Sequence, residues 1–136
     1  MIRTGPAMAL MSALLTLLLS GCASTSMTPD GVVERQVDAY NKRDIDAFLA
    51  TYSDDISLVN FPGELMYTGK SEMRARYDKM FRDSPALNCE IASRMTLGNT
   101  VIYHERVTGR VGGPIEVLAI YSVANGKIRR VEFVRK

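Results

Sequence analysis

His104 is the only histidine among 136 residues, and it alone has an unperturbed pKa near neutrality. Arg106 and Thr108 follow it at intervals of two. On an extended strand such spacing puts all three side chains on one face. A histidine that takes a proton, beside a guanidinium that holds the resulting enolate or carboxylate, is a general-base arrangement. The alternate set in this stretch is Val101, Tyr103, Glu105 and Val107. A one-residue change of register would turn His104 to solvent and Glu105 inward. A simpler role for His104 and Arg106 is a buried polar cluster, satisfied by Glu105 neighbours, Glu116 or backbone carbonyls.

Other reactive side chains are less suggestive. Cys89 lies in the strand-like run Leu87-Asn88-Cys89-Glu90-Ile91, with no basic partner nearby, and reads as a buried structural thiol. One such cysteine and one histidine do not make a zinc site. Asp54-Asp55 offers too few oxygen ligands for a hard cation and reads as a turn. No cofactor is implied. Glu116 and Glu132 fall opposite the expected lining residues, where pairs with Arg106 or Arg129 account for them. Met73, Tyr77, Met80 and Phe81 form a helical core stripe, and Arg74, Arg76 and Lys79 a solvated face.

The chain opens with Arg3, an apolar run from Ala7 to Leu19, and Leu19-Ser20-Gly21-Cys22. A charged start, a short apolar core and small residues before a cysteine read as a bacterial lipoprotein signal, with Cys22 lipidated after cleavage. The apolar run is too short to span a bilayer of about 30 Å as a helix. Ala23 after Cys22 points to the outer membrane's inner leaflet, facing the periplasm. The expected organisation is a signal over 1–21, a lipidated tether over 22–28 and one domain over 29–136.

The leader holds Arg3 and no acid, so the processed chain would carry 16 basic against 15 acidic residues, scattered along its length. That balance argues against nucleic acid as a partner. With Cys22 lipidated, no intramolecular disulfide is possible.

The elements that must position these residues are legible in outline. Thr28-Pro29-Asp30 starts a helix bearing Val33, Val37 and Tyr40. Asp44 caps a second helix with Ile45, Phe48, Leu49 and Tyr52. Strands are expected at Ile56–Asn60 and Leu65–Thr68, then a helix capped by Ser71 and ended by Ser84-Pro85. Four strand-like stretches follow, at Ala86–Leu97, Thr100–Arg110, Ile115–Ala124 and Lys127–Arg135. Asn125-Gly126 is a hairpin signal. Helices segregated from a meander define an α+β class.

This order, with Asp44-Ile45-Asp46-Ala47, Tyr52-Ser53-Asp54-Asp55-Ile56, Tyr67-Thr68-Gly69-Lys70, His104-Glu105-Arg106-Val107-Thr108 and Asn125-Gly126-Lys127-Ile128, resembles the SnoaL-like branch of the nuclear transport factor two-like superfamily. The resemblance covers the whole mature chain. It implies a cone of curved, mixed sheet packed with three helices, a cystatin-like α+β roll, with a pocket inside. Ketosteroid isomerases of this fold need a carboxylate base, a tyrosine and a protonated aspartate. Here those places carry Asn60, Gln36 and Ala119. Limonene epoxide hydrolases would match at Asn60 and Arg106 but not at Leu58, Thr108 and Phe133. Both catalytic sets are incomplete.

The expectation is a membrane-anchored domain that binds a small, largely apolar ligand. His104, Arg106 and Asn60 are its candidate catalytic set, and Leu58, Phe61, Thr108, Val117, Ala119, Tyr121 and Phe133 its ligand-binding set. An isomerase, dehydratase or hydrolase using His104 as base is one alternative. A dimerising interaction module is the other, because Leu118 and Ile120 put apolar side chains on the outer sheet face. A homodimer fits every reading.

Overall fold

The computed structural model describes residues 26–136, so the leader and Cys22 lie outside the described residues. Helix α1 (Pro29–Lys42) begins at Thr28, whose Oγ1 accepts from the Gly31 amide at 3.1 Å. Arg43, at φ 55°, turns the chain into α2 (Ile45–Ala50), where Asp44 accepts from the Ala47 amide at 3.0 Å. Arg43 also donates to the Leu87 carbonyl at 3.0 Å, tying this corner to the far sheet edge.

Strand β1 (Tyr52–Asn60) begins at Tyr52, four residues before the expected start, so Tyr52 leaves α2 and Asp54-Asp55 belongs to a strand, not a turn. Both acids face solvent and are paired, Asp54 with Lys70 at 3.4 Å and Asp55 with Arg129 at 2.9 Å. Strand β2 (Glu64–Thr68) and helix α3 (Lys70–Asp83) follow. Gly69, at φ 88°, occupies the cap position of α3 and makes no side-chain cap bond; Ser71 lies inside the helix.

The remaining strands are β3 (Asn88–Leu97), β4 (Thr100–Thr108), β5 (Ile115–Ala124) and β6 (Lys127–Arg135). They form an antiparallel meander. The sheet order is β2-β1-β6-β5-β4-β3, and β1 runs parallel to β6. Asn125 and Gly126, at φ 52° and 70°, make the tight turn between β5 and β6. Gly109 is required for a different reason. A Cβ there would lie 1.9 Å from the Ala86 carbonyl oxygen.

The helices cover one face of the sheet: α1 packs on β3 to β6, and α3 on β1 and β2. Between helices and sheet, Tyr40, Phe48, Tyr77 and Phe81 pack ring on ring, with centroids 4.5–6.3 Å apart. Asn41 holds β3 against α1, its Nδ2 donating to the Cys89 carbonyl at 3.0 Å and its Oδ1 accepting from the Cys89 amide at 2.7 Å. No helix among the described residues is long and apolar enough to cross a membrane.

Candidate functional site

A cavity of about 290 Å³ opens between the helices and the concave sheet face. Its register decides which residues matter. In β4 the buried set is Val101, Tyr103, Glu105 and Val107. Across the antiparallel ladder Tyr103 pairs with Ala119 and Glu105 with Val117, so these share the inner face. His104 pairs with Leu118 and Arg106 with Glu116, on the outer face.

The expected catalytic trio is therefore not assembled in the cavity. His104 Nε2 donates to Glu116 Oε1 at 2.6 Å, Arg106 Nε lies 3.5 Å from the same oxygen, and Lys136 Nζ donates to Oε2 at 2.9 Å. Lys136 first, then His104 and Arg106, hold the Glu116 carboxyl down at about 2. Glu116 is thus the partner of His104 and Arg106, but the cluster stands on the outer face with Arg106 and Lys136 exposed, not buried. Thr108 shares that outer face, exposed. Asn60 ends β1 outside the cavity lining, its Oδ1 3.4 Å from Arg135 Nε. Phe61, just past the strand, is 56% exposed, and Ala119 is fully buried in the core without lining the cavity. Leu58, Val117, Tyr121 and Phe133 do line it. The misplacement has a physical cause. Strand period alone gives two faces, and β5 carries apolar side chains on both, so its pattern does not say which face of β4 is covered.

Glu105, and not His104, lines the cavity. Its side chain lies in the cavity wall, 7% exposed, and Tyr121 Oη donates to its Oε1 at 2.6 Å. Burial raises its carboxyl to about 7, against a smaller lowering by the Tyr121 hydrogen bond. Gln36 Oε1, from α1, stands 3.4 Å from Tyr121 Oη. With Glu105 ionised, the phenol donates to the carboxylate. With Glu105 protonated, the carboxyl can donate to the phenol oxygen and the phenol turns to Gln36. Both protonation states thus have partners. Burial holds the Tyr121, Tyr52 and Tyr77 phenols well above their ordinary range, so they act as neutral donors. Cys89 also lines the cavity, and burial keeps its thiol protonated.

Sequence reasoning held Glu105 only as the alternative register. The signal was an acid in an otherwise large apolar set: Val101, Tyr103 and Val107 mark the buried face. Tyr77 and Arg76, assigned to a core stripe and a solvated face, both border the cavity, as do Met80, Arg110 and Arg135. Among the described residues no three His, Cys, Asp or Glu side chains cluster as metal ligands.

Three helices packed on one face of an open, curved six-stranded mixed sheet make an α+β cone of the NTF2-like kind. The SnoaL-like domain profile matches residues 33–131, and the chain belongs to that family. Among solved structures it is similar to an uncharacterized cystatin-fold protein from Novosphingobium aromaticivorans. That match has 29% identity and a TM-score of 0.73, over 80% of this chain and 99% of that one. A candidate ketosteroid isomerase from Kribbella flavida shares the fold at 14% identity and TM-score 0.67, over 79% and 77%. So does a candidate polyketide cyclase from Pseudomonas putida at 24% and 0.63, over 81% and 92%. No curated protein matches the chain.

Proposed function

We propose that the domain binds a small, largely apolar molecule in its cavity and moves a proton on it with Glu105. The observation that carries this is the Glu105 carboxyl itself, buried in the cavity wall, bonded by Tyr121 and poised at about 7. A carboxyl of that pKa accepts and returns a proton at neutral pH with little driving force lost either way. Tyr121 and Gln36 supply the neutral donor and acceptor that follow the proton. The reaction class is proton transfer at carbon beside a carbonyl, as an isomerase, cyclase or dehydratase requires. The base is Glu105, not His104.

The test is solvent deuterium exchange into a panel of steroids, terpenoids, aromatic polyketides and fatty acids, read by mass spectrometry. Exchange by the full chain that is lost in Glu105→Gln and kept in His104→Ala supports the reading. Exchange lost in His104→Ala and kept in Glu105→Gln overturns it.

From Leu19-Ser20-Gly21-Cys22 we infer a lipid anchor at Cys22, with the domain on the periplasmic side of the outer membrane. Palmitate labelling that survives Cys22→Ala would refute the anchor. A second copy as partner on the outer sheet face is favoured by Leu118, which is 41% exposed there.

A further inference from the structure

Three arginines from three elements border the cavity: Arg76 on α3, Arg110 just past β4 and Arg135 at the end of β6. Arg76 is committed. Its Nε donates to Glu72 at 2.7 Å, and its guanidinium lies 4.6 Å over the Tyr67 ring. Arg110 and Arg135 are not. Arg110 donates to the Gly113 carbonyl at 3.2 Å, and Arg135 reaches Asn60 Oδ1 at 3.4 Å while lying 5.3 Å over the Phe133 ring. Neither has a carboxylate within 4 Å among the described residues. The ladder sets Glu105, Val117 and Arg135 level across β4, β5 and β6, and Arg110 follows Glu105 beyond the end of β4. Arg135 is exposed and Arg110 half-buried, whereas Glu105 is buried, so the two guanidiniums mark the solvent side of the cavity.

Among the described residues Glu105 is the only acid on the cavity wall, and near neutral pH its charge is partly quenched by its own proton. The cavity is therefore a chamber walled by aromatic and aliphatic side chains with a few polar groups, and two guanidiniums without carboxylate partners stand on its solvent side. Its volume of about 290 Å³ sits at the small end of ligand pockets, which run from about 300 to 1,000 Å³.

We propose that the ligand is a monoanion of one or two rings, an aromatic or alicyclic carboxylate, with its ring body against Leu58, Tyr121 and Phe133 and its carboxylate on Arg110 and Arg135. This rests on the cavity being the ligand site. A guanidinium fork matches a carboxylate in two parallel hydrogen bonds, and neither fork is held by a carboxylate among the described residues. A neutral steroid would leave both charges unanswered.

The probes are 2-naphthoate and its neutral isostere 2-naphthamide, titrated by their own fluorescence into the full chain in detergent, with empty micelles as blank. Naphthoate should bind about tenfold tighter, the worth of one charge-assisted pair over a neutral one. Arg110→Gln and Arg135→Gln should each reduce that preference, and the double variant should abolish it. Arg110→Lys should restore part of it, because charge remains without the fork. Glu105→Gln should keep or raise it, since the change removes a partly ionised carboxylate from the wall, and this separates ligand charge from proton transfer. Equal binding of the two probes, or a preference that survives in the double variant, overturns the proposal and leaves the Glu105 reading standing. Binding of neither probe overturns the proposal too, and the deuterium-exchange test then decides the Glu105 reading on its own.

Discussion

Replacing Glu105 by Gln should make the protein more stable at high pH and leave it unchanged at low pH. The carboxyl titrates at 4.5 when unfolded and is raised by burial to about 7 in the fold. Between those values the folded state binds the extra proton, so stability falls as pH rises through the window and levels off above about 7. The full loss is about 3 kcal/mol, from a shift of some two and a half units at about 1.4 kcal/mol each. Gln is nearly isosteric, accepts the same Tyr121 hydrogen bond and does not titrate. The difference in unfolding free energy, Gln variant minus wild type, should therefore be near zero at pH 4 and rise to about 3 kcal/mol by pH 8.5. Urea unfolding of both full chains, followed by far-ultraviolet circular dichroism across that range, measures it. Every other titrating group cancels in the difference. A difference that stays flat from pH 4 to 8.5 would show that Glu105 is not raised, and would refute its poise as acid and base.

Three further outcomes follow from the same geometry. Tyr121→Phe removes the hydrogen bond that favours the ionised carboxylate, so the Glu105 midpoint should move upward from about 7, observable as a carboxyl carbon shift in NMR titration. Asn41→Ala leaves the Cys89 amide and carbonyl without their side-chain partners and should cost about 1–3 kcal/mol in urea unfolding, with β3 amides exchanging first. Leu118→Lys with Ile120→Lys should convert a dimer to monomer in light scattering while the melting midpoint changes little. A dimer that persists would remove the outer sheet face as the interface.

Much of the architecture was written locally. Thr28-Pro29-Asp30 and Asp44 start two helices because an Ncap side chain and a fixed proline φ act within one turn. Asn125-Gly126 makes its hairpin because both residues tolerate positive φ. The inward set of β5, Val117 and Tyr121 among it, was legible from alternation, as was the pairing of Glu116 with Arg106. Other features needed the assembled chain. Tyr52 fits a helical apolar stripe, yet it starts β1, because pairing with Ile128 of β6 outweighs one more turn of α2. The face of β4 was undetermined for a related reason. Alternation divides a strand into two sets but does not say which one the helices cover. Packing of α1 against β4 and β5 made that choice, and with it turned His104 outward and Glu105 inward. What the sequence by itself determined was the set of elements and their order, since caps, turns and periodicity act over a few residues. Only the tertiary structure decided the chemistry, because a carboxyl becomes an acid of neutral pKa only when residues far apart in the chain remove it from water.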